Sequence, residues 1–176
     1  MHILLRAVTL LREKGFTDFQ VDINGGGIQH ASEPIRREIE AFQTAEQHRP
    51  VSERLVSFNG PYSLDRVQSR MARVDWTVVP SVWWEIFGLV ISEAWMFGRP
   101  IICSNAGGMA ERVTHEVDGL HFELGDPAAL AAAIERACTE EGLWGRLHAA
   151  IPAPPSRAAM ADGFLALYHR EPALAG

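Results

Sequence analysis

Cysteine is scarce in this chain. Cys103 and Cys138 are the only two among 176 residues, one in an apolar strand-like run and the other in a helix-like run. Neither has ligand spacing around it, which excludes a disulfide scaffold and a thiolate metal site and fits a reduced, cytoplasmic protein. Long uninterrupted apolar runs are missing as well. The longest, Val78 to Phe97, is broken by Glu85 and Glu93, and Ile3-Leu4-Leu5 ends at Arg6, so neither a transmembrane span nor a signal peptide is expected. There is no surplus of basic charge either. The formal net charge is -6 and the cations are scattered, which argues against a nucleic-acid surface or a polybasic membrane patch. What the chain does have is 47% hydrophobic residues, enough for one domain with a proper core.

Helical and strand-like patterns alternate along it. Leu4, Val8 and Leu11 give one face of a helix over His2 to Lys14, and a strand follows from Phe19 to Ile23 up to Gly25-Gly26-Gly27. Ser32 caps a helix carrying Ile35, Ile39 and Phe42, and a strand from Leu55 to Phe58 turns at Asn59-Gly60-Pro61. Ser63 opens a helix with Leu64, Val67 and Met71. Trp76 to Val79 is the next strand, Gly88 to Phe97 a helix, and Pro100 to Ser104 another strand. A short helix spans Ala110 to Val113, a short strand Leu120 to Phe122, and Asp126 caps a helix through Cys138. Gly142 to Ala149 reads as helix, Pro152-Ala153-Pro154-Pro155 as a stiff linker, and Ser156 caps a last amphipathic helix with Met160, Phe164 and Tyr168.

The expected fold class is therefore α/β, a single doubly wound Rossmann-like domain with a mostly parallel sheet. It occupies residues 1–150, with 151–176 as linker and terminal helix. Such sheets bind ligands beyond the carboxyl ends of their strands, which directs attention to Gly25, Gly60, Pro80 to Gly88 and Asn105 to Gly108. The loop after Val79 is the richest. Glu85 and Glu93 lie eight positions apart in an apolar setting, and Glu93 is the only charge between Gly88 and Phe97, so that helix is expected to be largely buried and Glu93 to need a partner. Backbone N–H groups at the helix start suit a phosphate or diphosphate, with Glu93 roughly 8 Å further along the axis. A nucleotide-sugar has that shape.

Plainer readings stand beside these. Glu93 could pair with Arg99 or Arg112, and Glu85 could be a first-turn carboxylate favoured by the helix dipole. Trp83 and Trp84 could stack on a sugar, but beside a buried helix they read as core packing. Gly25-Gly26-Gly27 is a flexible turn rather than a dinucleotide fingerprint. Gly107-Gly108 either lets backbone approach a sugar or makes a tight strand-to-helix turn. His115 and His121 lack metal-ligand spacing, and no metal site is expected.

Pro80-Ser81, Glu85-x-Phe87-Gly88, Glu93-Ala94, Gly98-x-Pro100-Ile101-Ile102 and Gly107-Gly108-x-x-Glu111, in that order, resemble the donor-binding, C-terminal half of family-four retaining glycosyltransferases of the GT-B fold. The resemblance continues through Asp118-Gly119-Leu120 to Phe164-Leu165-x-Leu167-Tyr168, which is similar to the family's crossover helix. It implies a nucleotide-sugar as donor and no other cofactor. Glu85 would contact the sugar hydroxyls as the catalytic-site residue, Glu93 the ribose, and the backbone of Ile86, Phe87, Gly88 and Leu89 the sugar and phosphates. Gly60 and Tyr62 would lie near the base, and Gly107 and Gly108 beside the substrate. No Asp-x-Asp occurs, in keeping with metal independence in the family.

One departure from that pattern is expected to matter. The family places a strand before the first helix, central in the order 3-2-1-4-5-6, and follows it with an Arg and a Lys that neutralise the diphosphate; here the helix comes first. The expectation is a fragment or truncated gene product, lacking its acceptor domain or obtaining it from another subunit, and inactive in sugar transfer when purified alone. A donor-site subunit of a two-chain enzyme and a non-catalytic remnant are the alternatives. Self-association through open sheet edges and peripheral membrane association of the complete enzyme stay open.

Overall fold

The computed structural model describes residues 1–153 and 156–169, with only the backbone at Leu64. Helices and strands alternate: α1 (His2–Glu13), β1 (Val21–Asn24), α2 (Glu33–His48), β2 (Val56–Gly60), α3 (Val67–Met71), β3 (Thr77–Val79), α4 (Leu89–Met96), β4 (Ile101–Ser104), α5 (Gly107–Arg112), β5 (Gly119–Phe122), α6 (Pro127–Thr139), α7 (Leu143–Ala149) and α8 (Arg157–Tyr168). All strand pairing between these elements is parallel. β1 pairs with β2, Val21 opposite Val56, and β3, β4 and β5 form a second ladder with Thr77 opposite Ile101 and Ile101 opposite Gly119. The expected α/β class holds. The sheet, however, is in two pieces rather than one, because among the described residues no strand bridges β1 and β3.

Alternation along the strands sorts side chains to two faces. From β4, Ile102 joins the larger core with Ile3, Leu4, Leu5, Val8 and Leu11 of α1, Leu130 and Ile134 of α6, and Leu143 and Leu147 of α7. Ile101 and Cys103 point the other way, into a smaller cluster with Ile91 and Ala94 of α4 and Met109 of α5, completed by Val113. Ile23 and Val56 carry the larger core across to the first ladder, so both pieces share it. Caps act where expected at two helices. The Asp126 carboxylate accepts from Ala128 and Ala129 N–H, and Ser156 Oγ accepts from Ala159 N–H. Ser32 stands at the α2 N-cap without a side-chain bond. Within the segment expected to be a linker, Pro154 and Pro155 lie outside the described residues, and α8 buries no residue.

Two polar clusters tie the helices down. Glu46, only 3% exposed, receives Arg12 Nη2 at 2.8 Å and the backbone N–H groups of Leu55 and Val56 at 2.5 and 3.2 Å, joining α1, α2 and β2. Glu116, in the left-handed conformation at φ 67°, accepts from Arg136 and Arg146 and so links the turn before β5 to α6 and α7. Those hydrogen bonds, Arg136's first, hold its carboxyl down at about 2 against an ordinary 4.5. A depressed acid contributes stability above its unfolded value, and that contribution disappears as pH falls from about 5 toward 2. Thermal unfolding should therefore fall less steeply across that interval in Glu116→Gln than in the unaltered chain. At neutral pH the loss should be about 1 kcal/mol or less, since the cluster is partly exposed. Parallel pH profiles of the two proteins would contradict the assignment.

Candidate functional site

β3 ends at Val79, and the chain then runs through Pro80 to Gly88 before α4 begins. Successive positions on β4 and α5 fasten this loop. At its start, the buried Ser104 donates from Oγ to Ser81 O at 2.8 Å. In its middle, Gly108 N–H donates to Glu85 O at 2.6 Å, placing that carbonyl at the positive end of α5. At its end, Arg112 Nη1 donates to Phe87 O at 2.8 Å and to Gly88 O at 3.1 Å, while Nη2 donates to Ser92 Oγ at 2.8 Å. The same guanidinium lies 3.8 Å from the Phe87 ring centroid and 5.4 Å from that of Trp95.

Glycines make this seating possible. A Cβ on Gly107 would stand 2.9 Å from Glu85 O, and one on Gly108 2.5 Å from Ile86 O and 2.7 Å from Ile86 C. The close approach that Gly107-Gly108 permits within the protein is thus to the loop backbone, and it occurs in a tight strand-to-helix turn. Gly88, at φ 65°, turns the chain into α4 in the left-handed region that a side chain disfavours. Beyond it, the N–H groups of Gly88, Leu89 and Val90 donate to no acceptor among the described residues.

Glu85 and Glu93 are both half-buried, and neither side-chain carboxylate makes a hydrogen bond or ion pair among the described residues. The alternative in which Glu93 pairs with Arg112 is not what the structure holds, since Arg112 spends its donors on carbonyls and a hydroxyl; Arg99 forms no ion pair with it either. The expectation that α4 is largely buried is corrected. Only Ile91 and Ala94 are buried, whereas Leu89 is 70% exposed and Met96 63%. The helix is apolar on all sides, but the β3–β5 ladder and α5 cover one side only, and this relaxes the desolvation that Glu93 was expected to suffer. Trp83 and Trp84, expected to pack in the core, are 75% and 70% exposed. Ile86, Phe87, Leu89 and Met96 are exposed as well, so large apolar side chains lie open to solvent through this loop and the start and end of α4.

Gly60 and Tyr62 follow β2, at the end of the other ladder. Gly60 O accepts from Gly25 N–H at 2.9 Å, and Arg70 stacks 4.9 Å from the Tyr62 ring centroid. No hydrogen bond joins them to the loop among the described residues. Cys103 is inert as a nucleophile, because burial, reinforced by nearby Asp118, pushes its thiol up to about 12. The His115 and His121 rings lie tilted by 30° with centroids 5.5 Å apart, His115 Nδ1 accepting the His121 backbone N–H. Ser104 and Arg112 are the contributors that motif reading missed. Ser104 was legible as the lone hydroxyl ending an apolar strand; nothing in the pattern around Arg112 announces its contacts.

A parallel α/β domain whose most constrained loop follows a strand, presenting two unpaired carboxylates and free N–H groups, has the architecture of a GT-B glycosyltransferase half. A family model described as "Glycosyl transferases group 1" matches residues 1–140, and the chain belongs to that family. Over 90 residues it is 33% identical to an uncharacterized glycosyltransferase of Methanocaldococcus jannaschii, a stretch covering 51% of this chain and 22% of that protein. The Anabaena HepE structure in complex with UDP and glucose matches with a TM-score of 0.68 at 24% identity, over 86% of this chain and 38% of HepE. The C-terminal domain of a glycosyl transferase group 1 family protein, LpcC, from Francisella tularensis matches at 0.67 and 15% identity, over 85% of this chain and 73% of that one. The chain spans less than half the length of the first two.

Proposed function

We propose that this chain is the donor-binding half of a retaining glycosyltransferase that moves a sugar from a nucleotide-sugar to an acceptor hydroxyl. The observation that carries the reading is the fastened loop, which holds Glu85 O and leads through the unpaired N–H groups of Gly88 and Leu89 into α4, the helix that carries Glu93. In this reading Glu85 holds the sugar hydroxyls, Glu93 the ribose, the Ile86–Leu89 backbone the diphosphate, and Gly60 and Tyr62 border the base. Gly107 and Gly108 serve the substrate by seating the loop. Family membership supports the reaction class, and HepE, with the same fold, is bound to UDP and glucose. The donor is the only small molecule required, with no metal or further cofactor. Among the described residues no helix is long and apolar enough to cross a membrane, and a cytoplasmic setting suits a nucleotide-sugar enzyme. The exposed apolar surface around Trp83, Trp84 and Leu89 favours an acceptor-binding body docked beside the site, in the same protein or as a separate subunit. The chain alone then binds donor without transferring sugar.

Calorimetric titration with nucleoside diphosphates and nucleotide-sugars tests this. Glu93→Gln should weaken both ligand classes by about 1.5–3 kcal/mol, by removing a charged acceptor from ribose hydroxyls. Glu85→Ala should weaken the nucleotide-sugar and leave the free diphosphate unchanged. Equal losses of both ligands in Glu85→Ala, or no binding by the folded, unaltered chain, would reject the assignment.

A further inference from the structure

We infer that Arg112 is a positioning residue for the donor diphosphate, acting through the loop backbone; the inference rests on the donor-site reading above. Its guanidinium fork engages two consecutive peptide carbonyls, Phe87 O and Gly88 O, and anchors itself on Ser92 Oγ one turn into α4. No cis peptide occurs among the described residues. In a trans peptide the carbonyl and the next residue's N–H point in opposite directions. Holding Phe87 O therefore turns Gly88 N–H away from Arg112, and holding Gly88 O does the same for Leu89 N–H. These are two of the N–H groups that find no acceptor among the described residues.

Without the fork the Phe87 carbonyl loses the only donor it has among the described residues, and Gly88 O loses one of two, keeping the Ile91 N–H at 3.0 Å. Gly88 lacks the side chain that would restrict it, and Phe87 and Leu89 are themselves largely exposed. Among the described residues, moreover, Arg112 has no carboxylate partner, so its positive charge remains uncompensated beside the loop. Phe87 stacked at 3.8 Å fixes the plane of the guanidinium and so the direction of its donors. A lysine carries the charge but lacks the planar fork that reaches two carbonyls and a hydroxyl together.

The test compares Arg112→Gln and Arg112→Lys with the unaltered 176-residue chain, titrated with UDP, ADP and GDP, each beside its monophosphate. For whichever base binds, Arg112→Gln should lose about tenfold or more in diphosphate affinity while the monophosphate changes less than about threefold. Arg112→Lys should fail to restore the diphosphate. Hydrogen exchange in both variants should quicken at Ile91 and Gly108, whose N–H groups donate to Gly88 O and Glu85 O of the loop, and stay unchanged in β4 and β5, which separates a loosened loop from a misfolded domain. Equal losses for mono- and diphosphate, full recovery with lysine, or unchanged exchange at Ile91 and Gly108 would overturn the inference while leaving the donor site intact. Failure of the unaltered chain to bind any of the six nucleotides would instead remove the donor-site reading, and the ligand role of Arg112 with it.

Discussion

Gly108→Ala should abolish measurable nucleoside diphosphate binding in a chain that still folds. The added methyl would meet Ile86 O at 2.5 Å, Ile86 C at 2.7 Å and Glu85 O at 2.8 Å. All three are backbone atoms, so no side-chain rotation relieves the clash, and one partner must retreat by roughly 1 Å to reach ordinary van der Waals separation. The weaker partner is the loop. α5 is anchored by Met109, followed by Val113, both about 1% exposed in the smaller core, whereas Ile86 is 95% exposed. The loop therefore lifts, Gly108 N–H loses Glu85 O, and Glu85 moves relative to Glu93. Overpacking of this kind costs about 1–3 kcal/mol in stability, and displacement of a binding loop by 1 Å costs on the order of a hundredfold in function. Gly145→Ala is the control. It lies within α7 with nothing inside 4 Å of the new methyl, so it should leave affinity alone and raise stability by a few tenths to about 1 kcal/mol. Calorimetry beside thermal unfolding reads both. Retention of near-normal affinity in Gly108→Ala would mean that the loop does not bind the ligand.

Local chemistry in the sequence was sufficient for much of the fold. Leu4, Val8 and Leu11 mark the buried face of α1, and all three are in the larger core. Asp126 and Ser156 mark helix starts because a short oxygen-bearing side chain ahead of an apolar period has one favourable use there. Strand limits moved by one or two residues, as from Phe19–Ile23 to Val21–Asn24, because pairing partners rather than composition decide where a ladder begins. What composition could not decide is which apolar surface is covered. α4 is hydrophobic on all sides, and a helix packed on both faces reads the same as one packed on a single face with the other exposed. Trp83 and Trp84 failed as core residues for the same reason. At the site, Glu85 and Glu93 were visible because two carboxylates stand out in an apolar run, but the means of holding the loop between them was not. Ser104, Gly108 and Arg112 reach it from β4 and α5, and that convergence is a property of the tertiary fold.

Glu46 should prove the most costly single residue to lose. Its signal was present in the sequence, since it continues the stripe of Ile35, Ile39 and Phe42 at helical spacing and so places a carboxylate on the buried face of α2. A charge at such a position persists only with partners, and the structure supplies four: the Arg12 guanidinium, the N–H groups of Leu55 and Val56, two residues that are 3% and 4% exposed, and Arg49 Nε at 3.6 Å. Glu46→Ala strands all of them at once. Breaking a buried pair from one side costs about 3–5 kcal/mol, a third or more of the margin of a domain of ordinary stability. Glu46→Gln keeps an oxygen for the two N–H groups and loses the charge, so it should cost less, about 1.5–3 kcal/mol. The Arg6–Glu38 pair supplies the contrast. It joins the same two helices at 2.6 Å, but its side chains are 51% and 32% exposed, and Glu38→Ala should cost about 1 kcal/mol or less. Urea unfolding midpoints order the three variants. Because Glu46, on α2, is bonded to the β1–β2 ladder and the Pro80–Gly88 loop follows the other one, nucleotide affinity in the folded fraction should be unchanged, so that loss of stability and loss of binding separate between Glu46→Ala and Gly108→Ala. A Glu46→Ala chain as stable as Glu38→Ala would show that Arg12 and the two N–H groups find water instead, and that the junction of α1, α2 and β2 is more open than its burial indicates.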